Sequence, residues 1–202
     1  MVTANRRLHP IDLEACLSAA RRGARTTRRL LMQEDRPDDL TAVLLDAVGL
    51  FDELGVPYAL VGGLAAMIYG RGRFTEDVDL IAAADYEQTL QRHPDAMRKH
   101  RFDPSCTWKL YHDSGLTVDL WKDEHVPAML GRARATPLAG REVRVVDVLD
   151  LLAMKLRADR PQDDYDISQI IQHASFDEAE LQTRLTPDLF ERYHAIKKRS
   201  RS

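Results

Sequence analysis

The stretch from Val61 to Leu80 constrains the fold of this chain more than any other part of its sequence. An apolar run from Pro57 to Val61 predicts a short buried strand. The glycine pair that follows predicts a tight turn into a helix over Leu64 to Tyr69. The alternating segment from Asp77 to Ala82 predicts a second strand. Strands and helices that alternate over such short distances indicate an α/β (α+β) fold, a mixed β-sheet flanked by helices.

The remaining segments divide the chain into a helical, basic N-terminal arm over residues 1–36, a central α/β domain over 37–145 and a helical region over 146–202. Two strands, Thr107 to Tyr111 and Leu116 to Trp121, flank a good hairpin turn, and Glu142 to Val145 predicts another strand. Helices are predicted over Leu40 to Leu54, Tyr86 to His100, His125 to Leu130, Asp147 to Asp159, Gln162 to His173, Asp177 to Leu185 and Pro187 to Lys198.

Two acidic residues stand at alternate positions of the strand that begins at Asp77. Because side chains alternate along a strand, Asp77 and Asp79 share one face. Two neighbouring carboxylates repel each other, and a divalent cation relieves that repulsion. Hard oxygen ligands of this kind suit Mg²⁺ or Mn²⁺. An isolated Asp-x-Asp pair, however, is more often part of a turn or a helix cap.

The glycine pair and a third acid point to the same chemistry. Gly62 and Gly63 lead from a strand into a helix, where free backbone N–H groups can bind an anion, although a turn without a ligand is the commoner case. On the later strand, Asp119 shares a face with Thr117 and Trp121. If that strand lies beside Asp79, Asp119 completes a three-carboxylate cluster able to hold two metal ions. Alone, Asp119 is better explained as a solvent-facing carboxylate.

Together these features resemble the nucleotidyltransferase superfamily that includes DNA polymerase beta: a glycine pair, a short spacer, an Asp-x-Asp strand and a third acid on a later strand. The run from Arg73 to Leu80 is similar to the AbiEii type, toxins of prokaryotic toxin–antitoxin and phage-abortive systems. The resemblance implies an enzyme that moves a nucleoside monophosphate from a nucleoside triphosphate (NTP) to an acceptor hydroxyl. It implies two Mg²⁺ or Mn²⁺ ions on Asp77, Asp79 and Asp119, and a triphosphate on Gly62 and Gly63.

The resemblance extends into the C-terminal helices, where the family often carries a lysine followed by Arg-x-x-Asp-x-x-Asp. Here it implies nucleotide-binding roles for Arg73, Lys155, Asp163 and Asp166. Lys155 lies on the apolar stripe of its helix, so it needs an anionic partner or a route to solvent. Asp163 and Asp166 have an alternative role, since acids in a first helical turn stabilise the helix dipole.

Five arginines lie on one face of a helix predicted over His9 to Gln33: Arg21, Arg22, Arg25, Arg28 and Arg29. Such a stripe is most often solvated surface. It can also contact the phosphate backbone of an RNA, or dock an acidic protein such as an antitoxin.

The composition of the chain indicates its class and its cellular location. The 44% hydrophobic and 30% charged residues are those of a soluble globular protein, and the net charge of −3 leaves nucleic-acid binding to a local patch. The chain has only two cysteines and no apolar leader, which predicts a cytoplasmic location. It also has no apolar run long enough to span a membrane, so no membrane insertion is expected. Trp108 and Trp121 are expected to be buried.

These features predict that the acceptor is RNA (a tRNA 3′ end) or a protein, and that the chain acts as the toxin of a toxin–antitoxin system. One alternative is a nucleotidyltransferase that modifies a small-molecule antibiotic. Another is a catalytically silent module that binds a nucleotide or a protein partner. The complete acidic triad argues against the silent module.

Overall fold

The computed structural model describes residues 40–71, 75, 77–103, 106, 108–138 and 140–200. The basic helix predicted over His9 to Gln33, with its five arginines, lies outside these residues, and so does Arg73. The predicted contacts of those side chains therefore remain predictions.

The described residues form one mixed sheet with the strand order β3-β4-β5-β2-β1-β7-β6. Parallel pairing joins β2 to β5 and β1 to β7, and the other neighbours are antiparallel. The mixed α/β prediction is thus confirmed. The strands are β1 (Tyr58–Leu60), β2 (Val78–Ala82), β3 (His100–Phe102), β4 (Lys109–His112), β5 (Thr117–Trp121), β6 (Arg134–Leu138) and β7 (Arg141–Val145).

Helices surround the sheet, and several begin at residues that favour a helix start. Asp147 caps α5 by accepting a hydrogen bond from the Leu149 N–H, and prolines open α6 and α8. The helices are α1 (Leu40–Glu53), α2 (Gly62–Tyr69), α3 (Tyr86–Arg92), α4 (Val126–Arg132), α5 (Val148–Ala158), α6 (Pro161–His173), α7 (Glu178–Thr183) and α8 (Pro187–Arg199), with a 3₁₀ turn at Pro94–Ala96.

The structure differs from the sequence prediction in two segments. Pro94 is expected to break or kink the helix predicted over Tyr86 to His100, and it does: the helix ends at Arg92, a 3₁₀ turn begins at Pro94, and His100 opens strand β3. Strand β6 was not predicted. It contains Pro137 and pairs with β7 at one edge of the sheet, the position where a strand tolerates proline.

The two faces of the sheet have different neighbours. On β4, Leu110 and His112 point to the face covered by α1, where His112 reaches Asp46. Lys109 alternates to the other face, which it shares with its cross-strand partner Asp119. The acidic face is therefore the one opposite α1.

The C-terminal helices are tied to the sheet directly after β7. The Val146 N–H donates to the Leu60 carbonyl at 3.0 Å, and the Tyr69 hydroxyl donates to the Val146 carbonyl at 2.7 Å. Helix α2 contacts both α5 and α6. The division at residue 145 stays a prediction. Within the described part of the chain, no helix combines the length and the apolar character needed to cross a membrane.

Two histidines in edge-to-face contact beneath α1 make stability depend on pH. The rings of His100 and His112 lie 5.0 Å apart, and the His112 Nε2 is 3.1 Å from an Asp46 carboxylate oxygen. Burial, with a further contribution from His112, lowers the pKa of His100 to about 4. The unfolded chain thus binds a proton near its ordinary pKa, before the folded protein does, so the free energy of unfolding falls as the pH drops from about 6.5 to about 4.

We expect this loss to be about 2–3 kcal/mol over that range, at about 1.4 kcal/mol per pKa unit. Urea unfolding at several pH values measures it. His100→Phe should flatten the profile, whereas His125→Gln, at an exposed position, should leave it unchanged. Equal profiles for His100→Phe and the wild type would rule out His100 as the cause.

Candidate active site

The register of β2 and β5 brings the predicted acids together. Asp79 pairs directly with Asp119 across these parallel strands, and both side chains point to the face opposite α1. Asp77, just before β2, lines the same cleft, which has a volume of about 560 Å³. The sequence prediction made the cluster conditional on the Asp119 strand lying beside Asp79, and the pairing of β2 with β5 meets that condition.

Asp79 is held by two neutral donors. The Trp121 indole Nε1–H donates to Oδ1 at 2.8 Å, and the Gly63 N–H lies 3.4 Å from Oδ2. Burial raises the pKa of Asp79; these two hydrogen bonds oppose the rise, while the charges of Asp119 and Asp77 add to it. An ionised Asp79 is therefore costly in this cleft, and a bound cation would relieve that cost.

Asp119, in contrast, forms an ion pair with a lysine side chain. Lys109, its cross-strand partner on β4, places Nζ 2.5 Å from Oδ1, and the Thr117 hydroxyl lies 3.4 Å from the same oxygen. Sequence reasoning missed Lys109. Alternation along β4 would have placed it on the acidic face, but only if the pairing register had been known.

The glycine pair packs directly against Asp79. Gly62 has φ +65°, and a Cβ built on it would lie 1.9 Å from the Asp79 Oδ2; one on Gly63 would lie 2.7 Å from the Thr75 Oγ1. Helix α2 begins at Gly62, earlier than the predicted start at Leu64, and the N-cap residue Val61 forms no side-chain cap. The pair thus supplies amides of the helix N-terminus to the cleft, where such groups favour an anion.

Cationic side chains from the C-terminal helices form the opposite wall: Lys155, Arg157 and Arg160 line the cleft together with Lys122. Lys155 is only 4% exposed. Its Nζ lies 3.1 Å from the Asp163 Oδ1 and 2.7 Å from the Asp166 Oδ2. The inward orientation of Lys155 that the helical pattern indicated is therefore observed, and its anionic partners are two aspartates.

Asp163 and Asp166 are both fully buried. Asp163 also accepts a hydrogen bond from the Arg160 Nε at 2.7 Å. Burial acts to raise the pKa of Asp163, but Arg160 and Lys155 outweigh it and hold that pKa below its ordinary value. Asp163 and Asp166 thus hold the Lys155 ammonium in place, and Asp163 also holds the Arg160 guanidinium. The direct nucleotide contact predicted for them stays a prediction.

The predicted burial of the two tryptophans is wrong. Trp121 is 41% exposed and lines the cleft, with the Arg160 guanidinium 5.8 Å from its ring centre. Trp108 is 51% exposed, with the Lys109 Nζ 4.8 Å from its ring centre. An aromatic face at the mouth of the cleft is therefore available for contact with a ligand.

The chemistry of the three acids suits a hard divalent cation, because carboxylate oxygens are the ligands that Mg²⁺ and Mn²⁺ prefer. Among the described residues, however, no three acidic, histidine or cysteine side chains converge into a preformed ligand set. Asp79 is turned to Trp121 and Gly63, and Asp119 to Lys109. The acids Asp77, Asp79 and Asp119 therefore have suitable donor atoms but must reorient to share an ion.

The first of three matches to solved structures supports the fold. The structure matches the antibiotic-resistance factor ANT(2'')-Ia with a TM-score of 0.53 and 17% identity, covering 80% of this chain and 97% of that one. A nucleotidyltransferase-like antigenic protein from Paracoccidioides brasiliensis matches with a TM-score of 0.45 and 22% identity, over 78% of this chain and 92% of that one. The lincosamide antibiotic adenylyltransferase LnuA matches with a TM-score of 0.44 and 18% identity, over 63% and 93%.

Sequence comparison identifies a family. The sequence profile of a family described as nucleotidyl transferase of unknown function (DUF2204) matches residues 41–199. No curated protein matches the sequence significantly. The profile spans α1 to α8, so it includes both walls of the cleft.

Proposed function

The chain belongs to this family of nucleotidyl transferases, and from that premise we propose that it transfers a nucleoside monophosphate from an NTP to a hydroxyl of RNA with the help of Mg²⁺ or Mn²⁺. One observation carries the proposal. The cleft has carboxylates on its sheet side and cations on its helix side. A metal–triphosphate complex needs that division, because its ions bind carboxylates and its phosphate oxygens bind cations.

The residues of the cleft divide the work. Asp77, Asp79 and Asp119 would hold up to two divalent ions, which supply charge neutralisation at the phosphates when bound. The amides of Gly62 and Gly63, at the positive end of α2, would donate to phosphate oxygens. Lys155 and Arg160 contact the triphosphate from the opposite wall. Arg73 is assigned to phosphate contact by the resemblance alone.

The transfer is a substitution at the α-phosphorus. The acceptor oxygen forms a bond to that phosphorus, the bond to the bridging oxygen breaks, and pyrophosphate leaves. Asp119 accepts the proton of the attacking hydroxyl, which requires its carboxylate to be ionised and turned from Lys109 to the acceptor. Positioning and charge neutralisation supply most of the rate enhancement in phosphoryl-group chemistry.

The basic arm supports RNA as the acceptor. Arginines at positions 21, 22, 25, 28 and 29 would contact the phosphate backbone of an RNA, with a tRNA 3′ end as the preferred acceptor and a protein hydroxyl as the second choice. The AbiEii-type resemblance adds a role as the toxin of a toxin–antitoxin system, neutralised by a cognate antitoxin. An antibiotic acceptor is the alternative. The match to ANT(2'')-Ia supports the fold alone and does not decide between them.

An acceptor assay tests this proposal. Wild-type protein is incubated with Mg²⁺, each labelled NTP in turn, total RNA, an aminoglycoside and a lincosamide. We expect label in RNA and none without a divalent ion. Changing Arg21, Arg25 and Arg28 to Ala should weaken RNA binding and reduce its salt slope by about 1 for each phosphate that the arm no longer neutralises. Label confined to an antibiotic would overturn the RNA acceptor.

A further inference from the structure

We propose that Lys109 is an internal counter-ion that binds Asp119 in the metal-free protein and must leave before a divalent cation can bind there. The inference rests on the metal site of the proposed function, and it assigns a positioning role to a residue outside the family resemblance described above.

Lys109 lies within the acidic cluster itself. It faces Asp119 across the β4–β5 pair, with 2.5 Å between its Nζ and the Oδ1 of Asp119. Both side chains are largely shielded from water, at 23% and 20% exposure. Asp119 in turn pairs with Asp79 on the next strand. A single row across the sheet therefore runs ammonium, carboxylate, carboxylate.

The other cations of the cleft are engaged elsewhere. Lys155 binds Asp163 and Asp166, and Arg160 binds Asp163. Arg157 binds Asp123, and Lys122 binds Glu87. Asp79 receives hydrogen bonds from neutral donors, the indole of Trp121 and the amide of Gly63. Within the described part of the chain, Lys109 is thus the cation that the ion pairs place on a carboxylate of the Asp79–Asp119 pair. It supplies a positive charge where the acids repel each other most.

A divalent ion at Asp119 competes with this ammonium. The Asp119 Oδ1 already accepts a short charge-assisted hydrogen bond from Lys109, and two cations on one carboxylate repel each other. A divalent ion at Asp119 therefore has to displace the Lys109 ammonium, and the cost of that displacement weakens the observed metal affinity. A cross-strand ion pair that only stabilises the sheet would have no such effect, because its removal would cost stability and leave metal affinity unchanged or lower.

The test is a titration with Mn²⁺ alone, without nucleotide, with free Mn²⁺ followed by electron paramagnetic resonance. We expect Lys109→Met to bind Mn²⁺ about tenfold more tightly than the wild type, the effect of removing one charge-assisted hydrogen bond. Lys109→Gln should change affinity in the same direction. Lys122→Met, which removes the same charge from the cleft lining but not from the acidic pair, should change affinity less than about threefold.

A second readout uses the two tryptophans of the chain. Trp108 packs against Lys109, and Trp121 binds Asp79. Mg²⁺ should change the intrinsic fluorescence of the wild type, and at lower concentration in folded Lys109→Met. Equal or weaker Mn²⁺ binding by both Lys109 variants overturns the proposal, as does no Mn²⁺ binding by any variant. The RNA-labelling assay supplies the divalent ion together with an NTP, so it tests the proposed function separately, and a failure of this inference is distinguishable from a failure of that function.

Discussion

Gly62→Ala is expected to reduce nucleotidyl transfer by about 10³-fold or more and to lower the free energy of unfolding by about 2–4 kcal/mol. The new Cβ would lie 1.9 Å from the Asp79 Oδ2, and Gly62 has φ +65°, where an alanine is strained. The Asp79 carboxylate must therefore move away from its present position beside Asp119. The start of α2 must move with it, so the substitution disturbs both predicted phosphate and metal contacts.

Gly131→Ala is the matched control. Gly131 lies in helix α4, and a Cβ there would meet nothing within 4 Å. It should raise stability by about 0.5–1 kcal/mol and leave transfer unchanged, since alanine favours a helix more than glycine does. Thermal unfolding and the RNA-labelling assay measure both effects. If Gly62→Ala retained activity within tenfold of the wild type, the contact between the glycine turn and Asp79 would be unimportant for catalysis.

Lys155→Met is expected to destabilise the protein by about 3–5 kcal/mol, because it removes the ammonium that two buried carboxylates share. Arg160 still binds Asp163, so the larger part of the loss should come from Asp166. The same change removes a cation from the cleft and should raise the KM for the NTP. Urea unfolding gives the stability, and steady-state kinetics on folded protein gives the KM.

A second substitution separates the two effects. Lys155→Met combined with Asp166→Asn removes a buried charge together with its partner, so it should recover at least about 1.5 kcal/mol of the lost stability. The KM for the NTP should remain raised, since the cation is still missing. Recovery of both stability and KM would mean that Lys155 acts only as a structural ion-pair partner.

One wall of the cleft is formed by the sheet and the opposite wall by the C-terminal helices, so the site depends on packing between them. Asp79 and Asp119 belong to β2 and β5, Lys155 belongs to α5, and Arg160 immediately precedes α6. Helix α2 contacts β2 as well as α5 and α6. Loss of the packing of α2 against the sheet or against these two helices would move the phosphate-binding side chains away from the acids. We therefore expect that residues 37–145 alone would lack half of the site.

The placement of the acids was predictable from the sequence, because it depends on local periodicity. A strand has a side-chain period of two, so the pattern predicts Asp77 and Asp79 on one face; Asp77 lies just before β2 and lines the same cleft as Asp79. The same argument applied to Asp119, whose strand proved to be the parallel neighbour of β2. The inward position of Lys155 followed in the same way from the apolar stripe of α5.

The partners of these residues were not predictable, because they depend on which strands pair and in what register. The indole contact of Trp121 to Asp79 crosses from β5 to β2, and Lys109 meets Asp119 only through the β4–β5 register. A local sequence pattern predicts neither of these two contacts. The pairing of Lys155 with Asp163 and Asp166 likewise depends on how α5 packs against α6.

The central claim, a metal-dependent transfer at these carboxylates, is tested most directly by Asp79→Asn in the labelled-NTP assay. The substitution keeps the shape of the side chain and removes the charge. We predict that transfer to RNA and release of pyrophosphate fall by about 10³-fold or more, the loss of several kcal/mol of transition-state stabilisation. Asp113→Asn, in the hairpin turn, should retain full activity. Equal Mg²⁺-dependent transfer by Asp79→Asn and the wild type would contradict the account.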